Sequence, residues 1–256
     1  MPTWIGLGFQ DSRCFLIREL VYLHDHIIVI MSIVLIVVFY LFFLIFFFSS
    51  YYKFLSEGTI IEVVWSVIPA FLLILLVFPS VKVLYLMEDI KSPVFRVKVV
   101  AHQWYWTYIV PFYMNLGLRL DGGLRFGYEY DSIMENIDSR EDFVNPRLLG
   151  CRNELYFSEG VVTRLLIRSA DVIHCFALPR LGLKVDALPG RINQLFVNPR
   201  RLGVFYGECS EICGSNHSFI PILVKVCEYE DYLSVRKLNM MEMIIEYNDS
   251  LVCCEF

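Results

Sequence analysis

Three features are missing from this sequence, and each absence excludes a class of protein. The eight cysteines share no repeating spacing, which argues against a disulfide framework. Basic residues do not outnumber acidic ones: the net charge of −5 excludes a strongly basic, nucleic-acid-binding surface. Residues 1–20 contain acids and lack a short apolar core before a small-residue cleavage site, so we expect neither a secretory signal nor a transit peptide. Hydrophobic residues, in contrast, make up 57% of the chain, which predicts a membrane-bound part.

Two long apolar runs account for that part. Residues 27–48 carry no charge over a length that can cross a hydrocarbon core of about 30 Å. Residues 63–87 are interrupted only by Pro69, Pro79 and Lys82, and proline is tolerated in a membrane helix when neighbouring helices satisfy the freed backbone groups. The linker between the runs is short, so we predict a two-helix transmembrane hairpin whose outer ends lie on the same side of the membrane.

The pattern changes after Met87. Residues 95–110 and several later stretches alternate and are rich in β-branched and aromatic residues, with proline or glycine between many of them. This spacing predicts antiparallel strands in an all-β sandwich or barrel. The predicted organisation, in chain order, is an N-terminal segment with the hairpin (1–91, helices at about 24–48 and 62–88), the β-domain (92–238, with an acidic insertion at about 111–153) and a C-terminal tail (239–256).

The stretch GECSEICGSNHSFI, residues 207–220, combines thiols with an imidazole. These ligands suit zinc, copper or iron–sulfur clusters. A zinc ribbon needs two Cys-x2-Cys pairs, whereas this chain has one Cys-x3-Cys pair, Cys209 and Cys213, and no second pair. A disulfide between them is the simpler alternative. His217 in the same loop, and His174 at the end of a predicted strand, favour a metal.

A cupredoxin-type copper site takes one histidine from an earlier strand and a cysteine, a histidine and a weak axial methionine from a later loop. This loop has an extra cysteine, and two thiolates can bridge two copper ions that share one unpaired electron. Little then rearranges when the electron leaves, as rapid electron transfer requires.

Three stretches carry a family resemblance. Residues 171–194 (DVIHCFALPRLGLKVDALPGRINQ), 206–222 (YGECSEICGSNHSFIPI) and 102–108 (HQWYWTY), after a two-helix hairpin, resemble subunit II of mitochondrial cytochrome c oxidase, the animal form most closely. The resemblance implies a cupredoxin-like fold and a dinuclear copper centre (CuA). The positions that match the family's copper ligands are His174, Cys209, Glu211 through its backbone carbonyl, Cys213 and His217.

The family's methionine ligand falls on Ile220, which has no donor atom. Because the axial ligand is weak and mainly tunes the potential, we expect a copper site with a shifted potential rather than an empty one. A second explanation is translational, since some mitochondrial codes read AUA as methionine. The codon at position 220 decides between the two.

The resemblance also implies a function and further residue roles. The chain would accept electrons from cytochrome c and pass them to haem in subunit I, where oxygen is reduced to water and protons are pumped. Trp104 matches the electron-entry residue, Asp171 an acid of the cytochrome c docking surface, and Glu211 a side-chain ligand of a magnesium ion shared with subunit I. Glu62 matches the entrance of a proton path, although Thr59-x-x-Glu62 also reads as a helix capping box.

The implied location is the mitochondrial inner membrane, with the N-terminus and copper domain in the intermembrane space and the hairpin linker in the matrix. The implied partners are subunit I, other oxidase subunits, cytochrome c, membrane lipid and copper chaperones, with no nucleic acid. Two alternatives stay open. One is a structural oxidase subunit with an impaired or absent copper site; the other is a membrane-tethered copper chaperone or thiol oxidoreductase, which usually carries proline where this chain has Gly214.

Overall fold

The computed structural model describes residues 8–48, 54, 57–88, 92–113, 125–135 and 146–252. They fall into two compact units, one of Arg18–Asp89 and one of Met1–Ile17 with Ile90–Phe256. The helices are α1 (Phe15–Phe47), α2 (Thr59–Glu88) and α3 (Tyr229–Val252). The strands are β1 (Phe95–His102), β2 (Tyr105–Tyr113), β3 (Arg125–Met134), β4 (Cys151–Arg152), β5 (Leu155–Ser158), β6 (Thr163–Ser169), β7 (His174–Leu178), β8 (Leu183–Ala187), β9 (Asn193–Val197), β10 (Gly203–Cys209) and β11 (Pro221–Cys227).

Both helices of the first unit are long and apolar enough to cross a membrane. Helix α1 begins at residue 15, earlier than the predicted 24, because a helix of 33 residues, about 50 Å long, continues beyond the hydrocarbon core into polar surroundings. There the Lys82 Nζ of α2 lies 3.1 Å from a carboxylate oxygen of Glu19. Helix α2 starts at Thr59 and passes through Pro69 and Pro79 without a break.

Residues 8–17 belong with the β-domain, so the predicted grouping of all of residues 1–91 with the hairpin is corrected. The Arg13 amide donates to the Arg180 carbonyl at 3.2 Å, and the Arg13 carbonyl accepts from the Arg200 amide at 2.9 Å. Cys14 and Ile17 are buried at 8% and 3% exposure. Backbone pairing and apolar burial together hold this segment on the domain.

The β-domain consists of two sheets. One has six strands in the order β4-β3-β2-β1-β6-β9, and the other has five in the order β5-β11-β10-β7-β8. The predicted purely antiparallel pattern is wrong, since β1 pairs with β6 and β11 with β5 in parallel. Parallel partners need long crossover connections, which local turn signals do not reveal.

Part of the predicted acidic insertion is sheet. Strand β3 pairs antiparallel with β2 from Trp106 opposite Ser132 to Tyr113 opposite Arg125. Its side chains alternate: Tyr128 and Ser132 are buried, while the acids between them lie on the solvent face. Residues 114–124 and 136–145 of the insertion lie outside the described residues.

Helix α3 crosses the predicted boundary between the domain and the tail at residue 238. Its Tyr232 is 2% exposed and packs on Phe95 of β1 with ring centroids 4.7 Å apart. The helix is therefore a packed part of the β-domain. Cys253 and Cys254 lie outside the described residues.

The core beside the site is aromatic. Trp106 of β2 and Phe176 of β7 are both fully buried and meet edge to face across the two sheets, with centroids 5.3 Å apart. Such a pair contributes about 0.5–1.5 kcal/mol beyond its buried area. Trp106 also lies 6.2 Å from the His174 ring, so the core fixes the start of β7.

Candidate metal centre

The predicted ligands meet at one end of the second sheet. His174 is the first residue of β7, and Cys209 is the last residue of the neighbouring strand β10. These strands run antiparallel, with Cys209 opposite Phe176, so the two ligands share one sheet end although 35 positions separate them. The loop after β10 then supplies Cys213, and a short 3-10 helix, His217–Phe219, supplies His217.

Contacts link the four donor atoms in sequence, and three of them form a compact triangle. His174 Nδ1 lies 3.9 Å from Cys209 Sγ, the two sulfurs are 4.0 Å apart, and Cys213 Sγ is 3.5 Å from His217 Nδ1. Both cysteines are free thiols, and their sulfur separation is far beyond the S–S bond of about 2.05 Å, so they are not a disulfide. His174, Cys209 and Cys213 are buried, and their donor atoms all lie within 4.8 Å of one another, a set that does not include His217.

The two thiols of the site differ in pKa. Burial tends to raise the pKa of Cys209, but hydrogen bonds to His174 and to backbone groups outweigh it, so this pKa is lowered. Burial and the neighbouring Cys209 charge raise the pKa of Cys213. Without a cation the pair therefore favours a single negative charge. A metal that binds both sulfurs as thiolates displaces the remaining proton.

Asp171 connects the ligands to the first sheet. Its Oδ1 lies 2.9 Å from His174 Nε2, and its Oδ2 accepts from the Gln103 amide at 2.6 Å. The Gln103 side chain in turn donates to the Cys213 carbonyl at 2.7 Å. A carboxylate on the distal nitrogen of a metal-binding histidine sets its tautomer and orientation. Asp171 is itself exposed, so its predicted role as a docking acid stays a prediction beside this contact with the site.

Gln103 and Trp104 are the turn between β1 and β2, so residues 95–110, which alternate throughout in sequence, form two paired strands. A Cβ atom placed on Gly214 would lie 3.2 Å from Cζ2 of the Trp104 indole and 3.2 Å from Gln103 Nε2. Trp104 therefore packs on the residue that follows Cys213.

Three other predicted site residues have different surroundings. Glu211 has an exposed side chain, and its carbonyl oxygen accepts from Cys209 Sγ at 3.3 Å. Ile220 is 2% exposed, and its carbonyl accepts from the Cys209 amide at 3.2 Å. Glu62 belongs to the other unit, in the first turn of α2, where its amide donates to Gly58. The helix begins at Thr59 itself, so Gly58, not Thr59, precedes it.

The structural contributions of Gln103 and Gly214 were missed from sequence. The only local sequence signal was the glycine at position 214, directly after the second cysteine. In the structure Gly214 has a φ of +130°, a conformation that disfavours residues with a side chain.

Comparisons with known proteins agree with this architecture. The family "Cytochrome C oxidase subunit II, periplasmic domain" matches residues 95–227, and "Cytochrome C oxidase subunit II, transmembrane domain" matches residues 2–83. Cytochrome c oxidase subunit 2 of Metridium senile is 38% identical over 236 residues, 91% of this chain and 90% of that protein. The Branchiostoma floridae protein of the same name is 38% identical over 90% of this chain and 94% of its own length.

A solved structure shares the fold of the β-domain. The crystal structure of the periplasmic domain of subunit II of cytochrome oxidase of Bradyrhizobium japonicum is 36% identical, with a TM-score of 0.50, and the match covers 60% of this chain and 99% of that one. The predicted fold class, a two-helix hairpin followed by a cupredoxin-like β-domain, is confirmed, as is the animal-like resemblance. The chain belongs to the cytochrome c oxidase subunit II family and is a membrane-bound subunit of that oxidoreductase.

Proposed function

We propose that this subunit accepts electrons from cytochrome c at a dinuclear copper centre and passes them to haem in subunit I, for reduction of oxygen coupled to proton pumping. The observation that carries the proposal is the series of contacts between donor atoms, from His174 through Cys209 and Cys213 to His217. One tetrahedral ion would gather four donors to within about 3.6 Å of one another. His217 lies outside the compact set of the other three and contacts only Cys213 among them, so the four residues would suit two ions better than one.

The donor types fit copper. Thiolate and imidazole are ligands that copper accepts, and three of the four residues, His174, Cys209 and Cys213, are buried. When bound, copper supplies a one-electron acceptor and donor. The chain's own residues keep the ligands in place: Asp171 orients His174, and Gln103 fixes the Cys213 carbonyl. A site whose ligands are already held requires little rearrangement during electron transfer.

The test is electron paramagnetic resonance of the purified oxidase complex containing the full chain. We expect hyperfine structure from one electron shared by two coppers, with two coppers per chain in this domain. A signal from a single mononuclear copper, or a silent domain after copper loading, would overturn the proposal. A silent domain would favour the structural-subunit alternative, for which Ile220 is the supporting observation.

Trp104 is proposed as the electron-entry residue because its indole packs on Gly214, next to Cys213. We expect Gly214→Ala to push the indole away from the site. Reduction of the site by cytochrome c should then slow about tenfold or more, because a displacement of about 1 Å can cost about a hundredfold in rate. The measurement is stopped-flow reduction, with copper content as a check.

Gly203→Ala is the matched control for that variant. Gly203 has nearly the same φ, +135° against +130°, but a Cβ there would meet nothing within 4 Å. Both variants carry backbone strain, and only Gly214→Ala crowds the indole. Equal reduction rates in the two variants would show that contact with Trp104 is not needed.

Ile220 gives a prediction about the potential. The axial ligand and the hydrophobicity around the cysteine sulfur tune the potential of a copper site, and a donor atom in place of an apolar side chain favours the oxidised form. We therefore expect Ile220→Met to lower the reduction potential while the copper content stays the same, as measured by redox titration followed by paramagnetic resonance. Ile222→Met, a buried exchange on β11, serves as the control and should leave the potential unchanged.

The remaining assignments are part of the same proposal. The exposed Glu211 side chain is available for a magnesium ion shared with subunit I, and Glu62 is proposed at a proton-path entrance. The mitochondrial inner membrane is the proposed location, with the β-domain in the intermembrane space and the hairpin linker in the matrix. Cytochrome c, membrane lipid and copper chaperones are the proposed partners beside the oxidase subunits.

A further inference from the structure

A cationic groove lies between the start of β1 and helix α3, built from residues that take no part in the metal centre. It has a volume of about 410 Å³, within the range of about 300–1,000 Å³ that is usual for ligand sites. Three of its nine lining residues are basic, Arg96, Arg236 and Lys237, and none carries a carboxylate. Within the described part of the chain, no acid lies within ion-pair distance of these three side chains.

Arg236 forms a fixed base for this groove. One guanidinium nitrogen, Nη2, donates to the Pro111 carbonyl at 2.6 Å, and the guanidinium stacks over the Phe95 ring at 4.9 Å and the Tyr232 ring at 5.7 Å. The side chain is half-buried, and its orientation is set before any ligand arrives. A guanidinium presents five N–H donors, so donors remain for an anion, and this planar group suits phosphate.

The other two cations and the apolar lining complete an amphipathic site. Arg96 and Lys237 are exposed, so they can move towards a ligand. Leu233 and Met240 lie one turn before and one turn after Arg236 and Lys237 on the same face of α3 and provide apolar surface. The groove therefore offers positive charge beside hydrocarbon, a combination that matches an anionic amphiphile better than a free anion.

The groove follows the apolar helix α2 closely along the chain. Its lining begins at Pro93, five residues after Glu88, the last residue of that helix. Five residues span at most about 18 Å when fully extended. A basic residue at an anionic membrane surface contributes about 1 kcal/mol of attraction, which falls off within a Debye length of about 8 Å.

We propose that the groove binds the phosphate headgroup of an anionic phospholipid from the surrounding membrane. The phosphate is held by Arg236 with Arg96 and Lys237, and the glycerol and first acyl carbons lie against Leu233 and Met240. This site is separate from copper binding, so the outcome of its test is independent of the proposed electron transfer.

The test counts lipids on the delipidated oxidase complex, containing the full chain, by native mass spectrometry in a neutral detergent. The probes are dioleoyl phosphatidylglycerol, dioleoyl phosphatidylcholine and glycerol 3-phosphate. We expect the double variant Arg96→Glu/Lys237→Glu to bind one phosphatidylglycerol fewer, or to bind it at least about tenfold more weakly, given the attraction lost at two charges. Lys98→Glu is the matched control, because Lys98 is an exposed cation on the same strand but outside the groove, and it should bind as the unchanged protein does.

Three results would overturn the proposal. Equal phosphatidylglycerol binding by the double variant and the unchanged protein would show that the groove is not the site, including the case in which another subunit covers it. Equal occupancy by phosphatidylcholine would show that charge is not selected. Occupancy by glycerol 3-phosphate at the same concentration as the lipid would assign the site to a free anion. If the double variant does not assemble, the neutral pair Arg96→Gln/Lys237→Gln takes its place, with a smaller loss expected.

Discussion

Replacing Cys213 with serine is expected to abolish turnover with cytochrome c. The sulfur of Cys213 lies 4.0 Å from that of Cys209 and 3.5 Å from His217 Nδ1, so its loss removes the connection between the two halves of the site. A hydroxyl is a poor ligand for copper beside a thiolate. We expect the signal of the shared electron to disappear and reduction by cytochrome c to fall at least about a thousandfold, because the described residues contain no second cluster of metal-binding side chains to replace it.

Cys227→Ser is the matched control for this loss. Cys227 is a free, partly buried thiol that contacts the Phe157 carbonyl, and it does not belong to the donor atoms of the candidate metal centre. Copper content, paramagnetic signal and turnover should be unchanged in that variant. Normal turnover in Cys213→Ser would contradict the assignment of the site, whereas loss of assembly in both variants would indicate a role of thiols in folding.

Asp171→Asn is expected to weaken copper binding by about 10–100-fold, the usual cost of losing the hydrogen-bonding partner of a metal-binding histidine. The two carboxylate oxygens have different partners. Oδ2 accepts a hydrogen bond from the Gln103 amide at 2.6 Å, and Oδ1 lies 2.9 Å from His174 Nε2. An amide has one acceptor oxygen and one NH2 group. The asparagine oxygen therefore accepts from one neighbour, while its NH2 group faces the donor of the other. A buried donor left unpaired in this way costs about 1–3 kcal/mol.

Competition with a copper chelator measures the affinity, and thermal unfolding of the complex measures the accompanying loss of stability. Asp186→Asn serves as the control, because Asp186 is an exposed carboxylate on the adjacent strand β8. A purely structural role of Asp171 would lower the unfolding temperature and leave the paramagnetic spectrum unchanged. A changed spectrum in the copper-loaded variant is the readout specific to a positioning role.

The candidate site could be predicted from the sequence because four of its residues lie in short, chemically distinctive stretches. Cys209, Cys213 and His217 are close along the chain, and His174 begins a strand that is apolar throughout and buried. What the sequence could not supply is contact between distant elements. The bonds from Gln103 to Asp171 and to Cys213 join residues 68 and 110 positions apart, and no local pattern encodes such pairs.

The fold was predictable to a similar degree. Apolar runs mark the two membrane helices, but Arg18, Glu19 and Asp25 interrupt that pattern near the beginning of α1, so its start was placed too late. Strand β3 was missed because its outward residues, Glu129 and Asp131, give the segment an acidic character that hides the inward alternation of Tyr128 and Ser132. Parallel pairing of β1 with β6 depends on a connection of about sixty residues, beyond the range of any turn signal.

The attachment of residues 8–17 to the β-domain has a consequence for the order of synthesis. Arg13 is made early, but its backbone partners at Arg180 and Arg200 follow more than 160 residues later, after both apolar helices. The segment therefore has no access to these backbone partners until residues 180–200 have been synthesised. At Gly182 it packs so closely that a Cβ on the glycine would lie 2.9 Å from the Ile17 Cβ. The contacts of residues 8–17 with the β-domain are thus completed only after both apolar helices and most of the β-strands have been made.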